Sequence, residues 1–252
     1  MSGHSKWKTI QHTKGAADAK RGQLFTRLTR EIIVAVRQGG SNIESNFKLR
    51  LAVQKAKDSS MPYDNIDRAI KRGAGTLEGV SLEEVTLEGY SASGSAILVQ
   101  AVTDNRLRTI QDIRNLFNRN GGSLGGAGSV AWLFENKGMI TVKGENLKGD
   151  DIALVAIDGG ADDVKIEKDY LEIYTTPENL EKVRTALKNA NIAVDSASLS
   201  MIPKTTVTPP DEKGALQTLR LMEKLEELDE VQTVASNADF TDEMMEKIAS
   251  QV

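Results

Sequence analysis

The chain has no cysteine, only two histidines and no long apolar run, and each absence removes a class of function. Without cysteine there is no disulfide framework, no thiolate metal site and no thiol nucleophile, which suits a reducing compartment. No stretch approaches the roughly 18 uninterrupted apolar residues that a membrane span needs. The opening MSGHSKWKTIQH also lacks the apolar core of a secretory signal, so a cytoplasmic protein with no membrane partner is expected. His4 and His12 lie in a polar segment with no carboxylate before Asp18, and catalytic or metal-binding groups need fixed geometry. Neither is assigned a role.

Phosphate and metal motifs are equally scarce. There is no GxxxxGK[ST] loop, and Gly126 to Ala131 matches only a relaxed GxGxxA. That fingerprint must open a helix, whereas Val130 to Phe134 reads as a strand, so Asn120 to Ser129 is taken as a flexible passage between domains. The acidic clusters Asp150-Asp151, Asp162-Asp163 and Glu223 to Glu230 lack the alternating ligand spacing of a calcium loop and read as solvated faces. No catalytic residue, metal ligand, cofactor or small-molecule substrate is assigned, and the expected protein is not an enzyme.

What is present is charge, unevenly placed. The net charge of −4 over 252 residues conceals 15 basic against 6 acidic side chains in residues 1–75, and 17 against 30 in the rest. A basic N-terminal part suggests a polyanion partner, since phosphate contacts by Lys and Arg release counterions. The same asymmetry also allows the two parts of the chain simply to attract each other.

Periodicity organises the chain. Residues 14–38 read as a helix with an apolar stripe of Leu24, Phe25, Leu28, Ile32, Ala35 and Val36, ended by Gly39-Gly40. Lys20, Arg27, Arg30 and Arg37 fall on the opposite arc, free for a partner. A second helix from about Ile43 to Lys57, opened by Ser41-Asn42, points Phe47, Leu51 and Val53 inward. A third starts at Pro62 and closes at Gly73, with Ile66, Ala69 and Ile70 on one face and Asn65, Arg68, Lys71 and Arg72 on the other. The last two resemble a helix-turn-helix, a geometry that also occurs in plain helical bundles.

Beyond Thr76 the period changes to two. Val85–Tyr90 and Ala96–Val102 read as paired strands, Arg108–Arg119 as a helix, and Val130–Phe134 with Met139–Val142 as a hairpin around Glu135 to Gly138. A helix at Asp150–Ile157, a hairpin of Asp163–Ile166 with Tyr170–Thr175, a helix at Pro177–Asn189 capped by Thr176, and an extended Ile192–Ile202 follow. That order matches a ferredoxin-like βαββαβ plan. After a stiff connector at 203–210, a helix from Asp211 to Leu228 and an extended Val231–Ser236 would complete the sheet begun at Val85. The expected fold class is α+β with three domains: a basic helical one at 1–75, a discontinuous middle one at 76–129 and 204–252, and a ferredoxin-like one at 130–203 inserted into it.

Four segments carry a resemblance: Ser2 to Trp7, Lys14 to Arg21, Met61 to Gly73, and Gly121 to Gly125 running into Gly128 to Phe134. In order and spacing, over essentially the whole chain, they closely resemble the YebC family. The resemblance implies three domains around a central cavity and no enzymatic activity. Bacterial members are described as transcriptional regulators that bind DNA, mitochondrial relatives as activators of translation of cytochrome oxidase subunit I, and some bacterial members as ribosome-associated factors that relieve stalling at proline-rich stretches.

Three functions are therefore open. In a ribosome-associated translation factor, Lys6, Trp7, Lys14, Lys20, Arg21, Arg27, Arg30, Arg68, Lys71 and Arg72 would contact ribosomal RNA, with Trp7 stacking on an unpaired base. In a DNA-binding transcriptional regulator, the Pro62–Arg72 helix would enter the major groove and read bases with Asn65, Arg68 or Lys71. In an interaction scaffold, the acidic domains would bind a basic protein. The short third helix, the lack of a dimerising coiled coil and the acidic remainder favour the first slightly. The arm from Ser2 to about Thr13 is too polar to offset its ordering entropy alone and is expected to order on its partner; alternatively Trp7 folds back near Phe25.

Overall fold

The computed structural model describes residues 17–77, 81–143, 148–167, 170–241 and 244, with side chains from Arg21 onward. The arm with His4, Lys6, Trp7 and His12, together with Lys14 and the side chain of Lys20, lies outside the described residues. Three helices come first. Helix α1 (Ala17–Gly39) stops where the Gly40 N–H folds back onto Val36 O at 2.7 Å.

Helix α2 (Phe47–Asp58) begins about four residues later than the sequence pattern indicates. Asn42 closes only a local turn, accepting from the Glu44 N–H at 2.9 Å. The cap is Asn46, whose Oδ1 accepts from the Leu49 N–H at 3.1 Å. Its Nδ2 donates to Ala35 O at 2.8 Å and Gly40 O at 2.7 Å, so one buried side chain caps α2 and ties it to the end of α1. The buried face differs from the expected one: Leu49, Ala52, Val53 and Ala56 are buried, while Phe47 and Leu51 are only half-buried. Helix α3 (Tyr63–Gly73) follows Pro62, which stands one residue before the first turn and has no N–H to leave unpaired there.

The first sheet has the order β3-β1-β2-β8, from β1 (Glu83–Tyr90), β2 (Ala96–Thr103), β3 (Ser123–Leu124) and β8 (Val231–Ser236). All three pairings are antiparallel. The run Ala96-Ile97-Leu98-Val99 is apolar without alternation because β2 is an inner strand. Helix α4 (Arg106–Arg119), capped by Asn105, and helix α7 (Glu212–Glu226), capped by Asp211, bury Ile113, Phe117, Leu219 and Met222 in one core with Ile97, Val99 and Val234. These elements and the N-terminal helices form one compact unit, residues 1–134 and 203–252.

The second unit, residues 135–202, holds a sheet of order β5-β6-β4-β7. It is built from β4 (Phe134–Lys143), α5 (Gly149–Gly159), β5 (Asp163–Ile166), β6 (Tyr170–Thr175), α6 (Leu180–Asn189) and β7 (Ser196–Pro203), the ferredoxin-like order. Two local expectations fail here. Thr176 makes no capping bond; Pro177–Asn179 is a 3₁₀ turn, and α6 starts after it. The expected hairpin around Glu135 to Gly138 is one continuous strand, with Gly138 in register with Thr175 on β6. No helix among the described residues is long and apolar enough to cross a membrane.

Val130 to Leu133 is not a strand, and the reason lies on β1. The N–H groups of Gly128, Val130 and Ala131 each donate to the Glu88 carboxylate at 2.7 Å, so they cannot join a ladder, and Ala131–Leu133 becomes a 3₁₀ turn. Gly128, at φ +83°, makes the left-handed step that turns its amide toward the carboxylate. The glycine-rich loop is therefore pinned rather than a flexible passage, and its anion is the chain's own. Burial of Glu88, 7% exposed, works to raise its pKa, but the three amide donors outweigh it and hold the group below the ordinary glutamate value.

A folded pKa below the unfolded one stabilises the fold above the unfolded value, near 4.3, and that gain is lost as pH falls through the folded value. Replacing Glu88 by Gln puts an NH₂ against amide donors and should cost about 1–3 kcal/mol at neutral pH. Thermal melts across pH should show the gap between parent and variant closing below about pH 4.

Candidate nucleic-acid interface

The basic side chains expected on α1 do not share one environment. Ile32 to Val36 are five successive residues at most 8% exposed, so the middle of α1 is enclosed around more than a full turn. One side packs on α2 and α3, where Leu28, Ile32, Ala35 and Val36 join Leu49, Val53, Ile66 and Ala69. Elsewhere α1 meets the segment after α7. Arg27 donates from Nη2 to Leu228 O at 3.4 Å, Gln23 donates to Glu227 O, and Arg30 Nη2 stands 4.0 Å from the Glu230 carboxylate. Arg27 Nε and Arg30 Nη1 are buried without a partner among the described residues.

This corrects the sequence reading, in which Arg27 and Arg30 stood on a free arc. A helical wheel assigns one buried side, and α1 has more than one. Burial lowers the Arg27 pKa from its ordinary value, Glu226 and Asp229 partly restore it, and Arg30 lowers it further. The Glu223 to Glu230 cluster is accordingly not only a solvated face: Glu230 also takes Arg108 at 3.0 Å.

Between α1 and α3 lies a groove of about 650 Å³. Phe25, Ile33, Met61, Ala69 and Leu82 give it an apolar floor, and Arg30, Arg37, Arg68 and Arg72 ring it. Asn65 lines it too, and no carboxylate does among the described residues. Arg68 is braced by its own helix, donating from Nε to Asp64 O at 3.1 Å and from Nη2 to Asn65 Oδ1. Arg37 Nη1 holds Leu82 O at 3.0 Å. Arg72 is exposed and has no hydrogen-bonding or charged partner among the described residues. Arginine forks beside an apolar surface suit a planar, anionic ligand, because guanidinium groups grip phosphate bidentately while flat rings cover the floor.

Of the expected site residues, the structure brings Arg30, Asn65, Arg68 and Arg72 together on this groove. Arg21 is exposed on α1 but does not line it. Lys71 faces elsewhere and pairs with Asp67 at 2.6 Å, a hydrogen bond and charge contact that raise its pKa. The sequence reading put Arg37 on the arc free for a partner without counting it among the site residues, and it missed the floor of Met61 and Leu82, which depends on how the helices meet. No cluster of three or more potential metal ligands occurs among the described residues.

Fold and groove together define an α+β protein whose N-terminal helices precede two antiparallel sheets and carry a cationic cleft. Within that class, residues 5–76 match the TACO1/YebC protein N-terminal domain and residues 82–238 the TACO1/YebC second and third domain. The chain belongs to the TACO1/YebC family. It is 58% identical over 251 residues, all of both chains, to a probable transcriptional regulatory protein of Dehalococcoides mccartyi. A protein of the same description from Thermotoga petrophila is 48% identical over 253 residues, 100% of this chain and 99% of that one. The crystal structure of a conserved hypothetical protein from Aquifex aeolicus superposes with a TM-score of 0.83 at 44% identity, over 91% of this chain and 94% of that one.

The walls of the groove meet at Gly73. A Cβ there would come within 2.7 Å of Val36 Cβ and 2.9 Å of Ile33 O, so only glycine lets α3 close this tightly on α1. Gly73→Ala should force the helices apart at a cost of about 1–3 kcal/mol and lower the melting temperature by several degrees. Arg72→Ala, on the exposed rim, should change stability by no more than about 0.5 kcal/mol.

Proposed function

We propose that this chain is a non-enzymatic regulator of gene expression that binds nucleic acid through the α1–α3 groove, as a ribosome-associated translation factor whose partner is ribosomal RNA. The observation that carries the reading is the concavity of the cationic surface. A helix that reads duplex DNA must stand proud enough to enter a major groove about 12 Å wide. Here Asn65, Arg68 and Arg72 of α3 border a hollow with α1 as its opposite wall. Unpaired nucleotides of folded RNA can enter such a hollow, with phosphates on the guanidinium forks and bases on the apolar floor. In this reading residues 1–75 act as the basic nucleic-acid-binding domain, with Lys6, Trp7, Lys14, Lys20 and Arg21 adding contacts.

The second reading is a DNA-binding transcriptional regulator. It is favoured by the description of the Dehalococcoides mccartyi and Thermotoga petrophila relatives as probable transcriptional regulatory proteins. Sucrose-gradient sedimentation of lysate with and without ribonuclease separates the two. Ribonuclease-sensitive comigration with ribosomes supports the first, and its absence alongside tight duplex-DNA binding supports the second.

Replacing Arg68 and Arg72 together by Ser should weaken binding to single-stranded RNA and flatten its salt dependence by about 0.7 for each phosphate no longer neutralised. Lys71→Ser should do less, because Asp67 already engages that ammonium. Fluorescence anisotropy over a salt series measures both effects.

A further inference from the structure

The loop that Glu88 pins also mounts two aromatic rings. Trp132 is 66% exposed, and its indole N–H donates to Ser129 O at 3.2 Å. Tyr90, 38% exposed, donates its hydroxyl to the same oxygen at 3.0 Å. Two rings from separate elements therefore hang from one carbonyl. Tyr90 and Glu88 stand two residues apart on β1 and so share a face, and both grip this loop. Beside Trp132, the Lys204 ammonium donates to Trp132 O at 3.1 Å, and the Lys204 N–H donates to Leu133 O at 2.8 Å.

A large exposed aromatic ring held this firmly is an unusual surface to leave in water. Its polar edge is already bonded to protein, so what it offers a partner is a ring face. Stacking against a fixed ring costs little ordering entropy, and it accepts any flat π-system. The neighbouring ammonium retains further N–H donors for an anion next to that π-system. A flat ring joined to a phosphate is a nucleotide.

We propose that Trp132 and Tyr90, with Lys204, form a second contact site, a stacking platform for an unpaired base of single-stranded nucleic acid whose phosphate meets Lys204. The platform lies on the first sheet and its connecting loop, apart from the residues of the α1–α3 groove. It rests on the proposed function only in taking nucleic acid as the partner.

The test reads anisotropy on the full, unaltered chain and on its Trp132 variants, and reads emission on the same chain carrying Trp7→Phe, which leaves Trp132 as the sole tryptophan. A short labelled single-stranded RNA reports binding by anisotropy, while Trp132 emission is followed in parallel. Saturable quenching that tracks the anisotropy is expected. Trp132→Ala should weaken the affinity about tenfold, Trp132→Phe should keep most of it, and duplex binding should respond to neither. Binding by anisotropy with unchanged emission, and no weakening in Trp132→Ala, overturns the platform and leaves the groove standing. Quenching by a proline-rich peptide but not by RNA overturns it in favour of an extended peptide. No anisotropy change with RNA or DNA overturns the proposed function and the platform together.

Discussion

The middle of helix α1 is enclosed on every side although the helix also carries arginines, and its contacts with α2, α3 and the segment after α7 reconcile the two. Five successive buried residues from Ile32 to Val36 leave no face for solvent at mid-helix. Val34 is buried outside the cluster that joins α1 to α2 and α3, so that cluster does not account for all of the enclosure. A buried cation without an acceptor costs several kcal/mol. Arg27 and Arg30 sit near this region and receive the end of α7 and the residues after it, where a helix leaves carbonyls without intrahelical donors and carries the negative end of its dipole. The docking of α1 and the capping of α7 are one set of contacts.

That arrangement gives a physical meaning to the uneven charge. Part of it is internal, because Glu226, Asp229 and Glu230 face Arg27, Arg30 and Arg108 across long sequence separations. The two possibilities raised by composition, attraction between the parts of the chain and attraction to a polyanion, concern different side chains. Arg27 belongs to the first, Arg68 and Arg72 line the groove that the proposed function gives to the second, and Arg30 stands at the junction, near Glu230 and lining the groove.

Much of the fold is legible in sequence where local pattern and tertiary contact agree. The runs Val85–Tyr90 and Ala96–Val102 pair as read, and Asp163–Ile166 with Tyr170–Thr175 form the expected hairpin. Where a distant partner decides, pattern fails. Asn42 and Asn46 are equally good caps by type, and only the carbonyls of Ala35 and Gly40 select the second. Val130 to Phe134 has a strand's composition, but an acceptor about forty residues earlier, Glu88, removes its amides from any ladder. For the groove, the polar face of α3 yields Asn65, Arg68 and Arg72 from spacing alone. Arg37 also stands on the arc that the spacing of α1 leaves free, whereas the part of the floor given by Met61 and Leu82 follows from how separate segments meet, which no single-helix pattern contains.

The Glu88 loop bears on how this chain can hold a phosphate at all. Glycine-rich loops hold phosphate through converging backbone amides, and three such amides are present at Gly128, Val130 and Ala131. All three are committed to an internal carboxylate at 2.7 Å, so an external anion would have to displace a buried, ionised group from three short hydrogen bonds. These three amides are thereby closed to a partner. Donors left for an anion on this unit include the guanidinium groups of Arg68 and Arg72 on the α1–α3 groove. Side-chain cations add affinity through counterion release without reading sequence, so in the proposed function selectivity comes from the shape of the hollow and from what can lie flat on its floor.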